Sequence, residues 1–298
     1  MFSRKNYQKI LLVILAVAIS IISFLSIKTI ASADELSTDT GVFLSQPHNT
    51  RDLGGVITTS GRHVKNNELV RSDSLNQTTA NDAMVLRENH HVTNIIDFRS
   101  NAEVTVAPDK NLAWFFYQHQ AISPQLSYLD GTHSIKSIVK KVRQGHQTGD
   151  QIMLDMYDYI ADSQQSVTAY KTLFKTLLTN DNATLYHCTS GKDRTGVATA
   201  LILTALGSDK QTIDLNYLES NSYRQIKVNN DLQRARKYTK SQRILDVIQD
   251  MESVKQPYLD EYFNELTSRY GGVTQYLHNQ LGLTDQDIQQ LQSKYLAA

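Results

Sequence analysis

The chain has 298 residues, 30 basic and 30 acidic side chains, 40% hydrophobic residues and only 4 prolines, which excludes a fibrous or wholly disordered protein. The first 33 residues carry Arg4, Lys5, Lys9 and Lys28 and no acid, so residues 34–298 hold 26 basic and 30 acidic side chains, a formal charge of −4. A mildly acidic body excludes sequence-independent nucleic-acid binding, which draws its affinity from many cations on phosphates, and the lone Cys188 excludes intramolecular disulfides and multi-cysteine metal clusters.

Residues 10–27 are uncharged and mostly apolar, preceded by three basic residues and followed by Ala31-Ser32-Ala33. Basic flank, apolar run and small-residue cleavage site read as a secretory signal peptide over 1–33. The alternative is an uncleaved anchor, because 18 residues nearly span a hydrocarbon core of roughly 30 Å. Either way the basic flank predicts a cytoplasmic N-terminus and an exported body. That makes the protein secreted or extracytoplasmic, touching a membrane only if residues 10–27 stay attached. A single cysteine in an oxidising compartment, without the disulfides such compartments permit, suggests a chemical role for the thiol.

Residues 34–298 show no linker or repeat and are expected to form one α/β catalytic domain and a monomer, with a helical C-terminal extension. The β-branched run 92–98 and the aromatic run 114–117 predict strands of a central sheet. Segment 127–148, polar with Gly131 and Gly145, is expected to be a mobile lid. Apolar residues then recur every three or four positions through 149–180, predicting two helices broken near Asp162-Ser163. Residues 183–187 predict a short strand and 195–206 an Ala-rich helix stopped by Gly207. Further helices are predicted over 210–220, 241–251, 257–270 ended by Gly271-Gly272, and 285–296 capped by Thr284.

The loop between that strand and helix reads His187-Cys188-Thr189-Ser190-Gly191-Lys192-Asp193-Arg194-Thr195-Gly196. A loop of this length can curl so that its N–H groups converge at the positive end of the next helix, with the Arg194 fork closing the cradle around a phosphate. The same field favours a thiolate at Cys188, whose free pKa would be about 8.5, and so an in-line nucleophile. Thr195 is placed to donate its hydroxyl to that thiolate, while Gly191 and Gly196 allow close backbone packing. A Walker loop is excluded because the positions it needs for Gly and for Ser or Thr hold Tyr186 and Asp193. A zinc site would have only scattered histidines to draw on, and a merely buried cysteine would not need this company. No metal or cofactor is expected.

Cys188 through Arg194 resembles the Cys-x5-Arg signature of cysteine-dependent protein tyrosine phosphatases. More narrowly, residues 187–196 resemble the bacterial tyrosine phosphatases with a Gly-Lys-Asp-Arg-Thr-Gly loop, known from secreted enzymes of mycobacteria and Listeria. Three further stretches match that family: Asn49-Thr50-Arg51-Asp52-Leu53-Gly54-Gly55, then Leu69-Val70-Arg71-Ser72-Asp73-Ser74-Leu75, and Ile96-Asp97-Phe98-Arg99-Ser100 with Glu103. Thr50, Val70, Phe98 and Ser190 depart from the family's usual residues and bear on substrate fit.

The resemblance implies the family's fold, a mostly parallel sheet flanked by helices, and a metal-free two-step reaction. Cys188 would form a phosphocysteine that water then hydrolyses, with Arg194 and the loop amides stabilising the phosphoryl oxygens. The family places the general acid on Asp193, with Asp97 in reserve; the structural alternative is a carboxylate pairing with Lys192 or a helix N-terminus. Thr189, Ser190, Gly191, Lys192, Thr195 and Gly196 are assigned to the phosphate, with Lys192 as a positive charge at the mouth. His187, Arg51, Asp52, Asp97 and Arg99 are assigned to support, Arg51 or Arg99 being the better candidates for a substrate contact. The implied substrates are phosphotyrosine in proteins, then phosphoserine, phosphothreonine and phosphoinositides. A catalytically idle phospho-ligand module and a rhodanese-type sulfurtransferase are the competing readings.

Overall fold

The alternation of side chains along three short strands decides the architecture. In the computed structural model, which describes residues 41–42, 44–45, 47–123 and 134–297, the strands β1 (Arg51–Asp52), β3 (Leu69–Ser72), β4 (Val92–Asp97), β5 (Phe116–His119) and β6 (Ala183–His187) form one sheet in the order β1-β3-β6-β4-β5. β3, β6, β4 and β5 run parallel, and β1 is antiparallel to β3. Leu69, Ile96 and Tyr186 face the larger apolar core, whereas Val70, Ile95 and Leu185 face a smaller one on the other side. Period-2 alternation with both faces buried is what a covered parallel sheet requires. β2 (His63–Val64) pairs instead with the C-terminal β7 (Leu296–Ala297).

Helices fill the connections: α1 (Ala80–Met84), α2 (Asn101–Val106), α3 (Ile135–Gln144), α4 (Gly149–Asp162), α5 (Gln164–Thr179), α6 (Arg194–Leu206), α7 (Lys210–Leu218), α8 (Ser220–Ala235), α9 (Gln242–Glu252), α10 (Gln256–Tyr270), α11 (Val273–Gln275) and α12 (Asp285–Tyr295). Their ends follow local chemistry. Ser163 closes α4 and caps α5 in extended backbone. Gly207 stops α6 at φ 90°, a left-handed conformation that glycine adopts without a Cβ penalty. Thr284 caps α12 in a reciprocal box with Asp287. α6, predicted from an Ala-rich apolar run, is buried on nearly every side.

Two expectations need revision. The second strand lies at Phe116–His119, two residues later than the aromatic run suggested. Helix α8 was not foreseen, because its strand of apolar residues is sparse and Ile226 on it is 78% exposed. The segment read as a lid contains helix α3, docked by Arg143 on the Tyr238 carbonyl at 3.0 Å and by Arg243 on the Val142 carbonyl at 3.0 Å; residues 127–133 lie outside the described residues. So do the apolar run 10–27 and its cleavage site. Among the described residues no helix is long and apolar enough to cross a membrane. Contacts gather residues 40–298 into one unit.

Candidate active site

β6, hydrogen-bonded on both sides, delivers the loop 188–193 from the middle of the sheet to the N-terminus of α6. Ligands bind at the carboxyl ends of parallel strands for this reason. Every carbonyl from His187 to Gly191 is turned outward onto a donor. The Phe98 N–H takes His187 O at 2.8 Å, and the Ser74 N–H takes Thr189 O at 3.2 Å. His187 Nδ1 lies 3.3 Å from Cys188 O. Asn49 Nδ2 donates to Ser190 O at 3.0 Å, joined by Arg224 Nη1 at 3.3 Å, and Arg71 Nη2 donates to Gly191 O at 2.8 Å. Among the described residues, no amide N–H from Thr189 to Arg194 donates to a protein acceptor. With its carbonyls engaged and its amides left without a protein acceptor, the loop has N–H groups to offer an anion, as a nest does.

Cys188 is buried to all but 1% and lines a cavity of about 330 Å³ together with Thr189, Ser190, Lys192, Asp193 and Arg194. Ile135 and Ile138 of α3, Met156 of α4 and Met251 of α9 supply apolar walls, and Glu103, Lys227, Asp231 and Arg234 supply charge. A second cavity of about 410 Å³ adjoins it, sharing Glu103, Thr189, Lys227, Asp231 and Arg234. Gly191, Thr195 and Gly196 do not line the first cavity. Gly191 sits against the end of β3, and a Cβ on Gly196 would stand 3.0 Å from the Tyr217 ring.

Arg194 is held in a two-pronged pair by Glu103, with Nη1 at 2.7 Å from Oε2 and Nη2 at 2.9 Å from Oε1. Nη1 also donates to Ile122 O at 3.0 Å. Glu103 accepts a further hydrogen bond from the Thr189 hydroxyl and caps α2 through the Ser100 N–H. Burial would raise the Glu103 carboxyl, but Arg194 outweighs it and holds it below the usual range. The guanidinium is thus aimed before any ligand arrives, and a fixed fork is what a bidentate phosphate contact needs.

Asp193 accepts at Oδ1 from Tyr157 at 2.9 Å and from Lys192 at 3.0 Å. Its side chain makes no cap to α6. Lys192, expected at the mouth as a free charge, is instead buried, because Asp193 and the Ser253 carbonyl at 3.1 Å take its ammonium. Asp97, the reserve acid, is fully buried and lines neither cavity. Burial would raise its carboxyl, but His187 and Arg99 hold it well below the carboxylate range, so it stays ionised and has no proton to give. The Thr195 hydroxyl is buried without a partner rather than bonded to the Cys188 sulfur. An orphaned donor costs free energy, which a thiolate acceptor would relieve.

The remaining predicted residues brace the loop from behind. Arg51 is buried and donates to Asn49 Oδ1 at 2.6 Å and Asn216 O at 2.8 Å, while Asp52 accepts the Gly54 and Asn67 N–H groups. Arg99 lines the second cavity, but its guanidinium is taken by Asp97, Asp109, Ser74 and the Ala107 carbonyl. Asp97, Asp109 and His187 bring donor atoms within 4.8 Å of one another; Arg99 and the imidazole supply the positive charge there. Tyr157, Tyr217, Arg224 and Asn216 had no role legible in the sequence, because their separations from the loop carry no local signal.

Burial opposes a charge on His187, but Asp97 and then Asp109 outweigh it and push the imidazole up to about 9. Its unfolded value is about 6.5. A folded pKa above the unfolded one contributes stability that is complete below pH about 6.5 and is lost as pH rises to about 9. The full swing is of order 3 kcal/mol. The melting temperature should therefore fall over that window, and the fall should flatten in His187→Gln. An equal slope in both proteins would remove His187 from the account.

Fold and loop together define a class: an α/β domain whose central strand delivers a cysteine and an arginine to an amide-lined anion cradle. The chain belongs to the tyrosine phosphatase family, whose model matches residues 42–297. It is 29% identical over 251 residues to a protein of Cupriavidus necator provisionally named a tyrosine-protein phosphatase, covering 84% of this chain and 86% of that one. A tyrosine-protein phosphatase of Nostoc commune is 32% identical over 45% of this chain and 46% of its own length. A 46-residue stretch, 15% of this chain and 17% of the relative, is 50% identical to the triple specificity protein phosphatase PtpB of Mycobacterium tuberculosis.

Proposed function

We propose that the protein is an exported, cysteine-dependent phosphatase that hydrolyses phosphotyrosine, with phosphoserine, phosphothreonine and phosphoinositides as further substrates. The observation that carries this is the loop itself: five carbonyls each met by a donor, six amides that among the described residues meet no protein acceptor, and Cys188 and Arg194 lining one cavity. The phosphoryl group sits on those amides and the Arg194 fork. Cys188 attacks phosphorus, Asp193 protonates the leaving oxygen, and the phosphocysteine is then hydrolysed by a water that Asp193 activates. Apolar walls from Ile135, Ile138, Met156 and Met251 suit an aromatic ring above the phosphate. The mycobacterial relative is named a triple specificity protein phosphatase, which supports a range beyond phosphotyrosine. The basic flank, apolar run and Ala31-Ser32-Ala33 support export.

Release of inorganic phosphate by the purified protein in EDTA tests the reading. Phosphotyrosine peptides should turn over fastest, phosphoserine peptides and phosphoinositides more slowly. Phosphopeptide that binds without any phosphate release would make the protein an idle binding module. Export is tested by fractionation: protein found only in the cytoplasm would sink that part.

A further inference from the structure

Asp193 is tethered from a direction that the reaction itself does not require. Tyr157 of α4, fully buried, donates its hydroxyl to Asp193 Oδ1 at 2.9 Å. The hydroxyl of Tyr217, on α7 and equally buried, lies 2.7 Å from that of Tyr157, and the two rings meet edge to face at 84°. A phenol has one proton. With the Tyr157 proton on Asp193, the bond between the two tyrosines runs from Tyr217 to Tyr157. Burial, then the charge of Asp193, pushes both phenols well above their ordinary value, so both remain O–H donors. Lys192 donates to the same Oδ1 at 3.0 Å. Two donors thus converge on one oxygen, and among the described residues none donates to Oδ2. The carboxylate lines the cavity that holds Cys188.

We propose that Tyr157, backed by Tyr217, is a positioning residue for the leaving-group step: it anchors Asp193 by Oδ1, so that proton transfer falls to Oδ2. This deepens the phosphatase reading and rests on it. In the first step the Cys188 S–P bond forms, the ester P–O bond breaks, and the Oδ2 proton moves to the leaving oxygen. In the second, Oδ2 takes a proton from water as the water oxygen bonds to phosphorus, and the S–P pair of electrons returns to sulfur. Neither tyrosine loses its own proton in either step. Without the anchor the carboxylate pivots about Lys192 alone, and the transfer loses its alignment.

The test compares two aryl esters on the full chain. Phenyl phosphate leaves as a phenolate about as basic as tyrosinate and needs the acid, whereas p-nitrophenyl phosphate leaves nearly unaided. Tyr157→Phe should lower kcat/KM, which reports the leaving-group step alone, about tenfold or more for phenyl phosphate and less than about threefold for the nitrophenyl ester. Tyr217→Phe should act in the same direction and more weakly, and it carries the test if Tyr157→Phe folds poorly. In an Asp193→Asn background Tyr157→Phe should add nothing, because residues that act as one unit do not multiply. Equal losses on both esters, or a loss that multiplies with Asp193→Asn, would overturn the proposal. No turnover of either ester by the unmodified chain would instead remove the phosphatase reading on which it stands.

Discussion

Cys188→Ser is expected to lower kcat by at least about four orders of magnitude while leaving phosphotyrosine-peptide affinity within a few-fold of the parent. The two halves of that result come from different atoms. Bond making needs an anionic sulfur, and a hydroxyl in the same place stays protonated at neutral pH and is a far weaker nucleophile. Binding needs the nest, and among the described residues none of the hydrogen bonds that shape the nest is made to the sulfur. The loop is held through its own carbonyls, which accept from the Phe98 and Ser74 N–H groups and from the side chains of Asn49, Arg224 and Arg71, and Arg194 is aimed by Glu103. Phosphate release and calorimetric titration of a phosphopeptide separate the two quantities. Turnover within tenfold of the parent would take Cys188 out of the chemistry. Affinity lost together with turnover would mean that the thiol shapes the cradle.

The parts of this site that were legible in the sequence are those whose signals are local. Strand β6, the loop and helix α6 are contiguous, marked by a β-forming run, small loop residues and the stop at Gly207, and each lies where its own chemistry puts it. Helix ends at Ser163, Gly271 and Thr284 were equally readable because a cap is a contact between near neighbours. What could not be read depends on residues far apart in the chain. Lys192 looks like a solvated charge until Ser253, on another element, offers it a carbonyl. Tyr157 and Tyr217 sit on buried helix faces, where a tyrosine normally reads as core, and only the fold shows that one of them reaches Asp193. Helix α8 escaped for the same reason. Its first turn is fixed by Ser220 and Arg224 packing behind the loop and by Arg224 pairing with Glu252 at 2.5 Å, not by a periodic apolar stripe.

Gly191→Ala should remove binding and turnover together, which sets it apart from the change at Cys188. Gly191 has φ 64°, and a Cβ there would stand 2.7 Å from both the Ser72 carbonyl oxygen and the Asp73 nitrogen. Those atoms cannot retreat. Ser72 ends β3, which is registered against β6 with Ser72 opposite His187, and Asp73 holds the His48 and Asn49 N–H groups. The loop must therefore lift away from the sheet. Lifting breaks the bond from Arg71 to Gly191 O, leaving a fully buried guanidinium, already unpartnered at Nε, with one acceptor fewer. A left-handed alanine costs roughly 1–2 kcal/mol, and overpacking against fixed backbone adds about 1–3 kcal/mol. The sum, of order 3 kcal/mol, corresponds to a fall in melting temperature of roughly 5–10 °C for a domain of this size. The inward amides lose their common focus as the loop moves, so kcat/KM should fall by about a thousandfold, with phosphopeptide affinity falling as well. Thermal unfolding, titration and phosphate release on one preparation read all three. A variant with the parent's melting temperature and affinity would show that the loop can stand off β3, and that the close approach at Gly191 does not shape the nest.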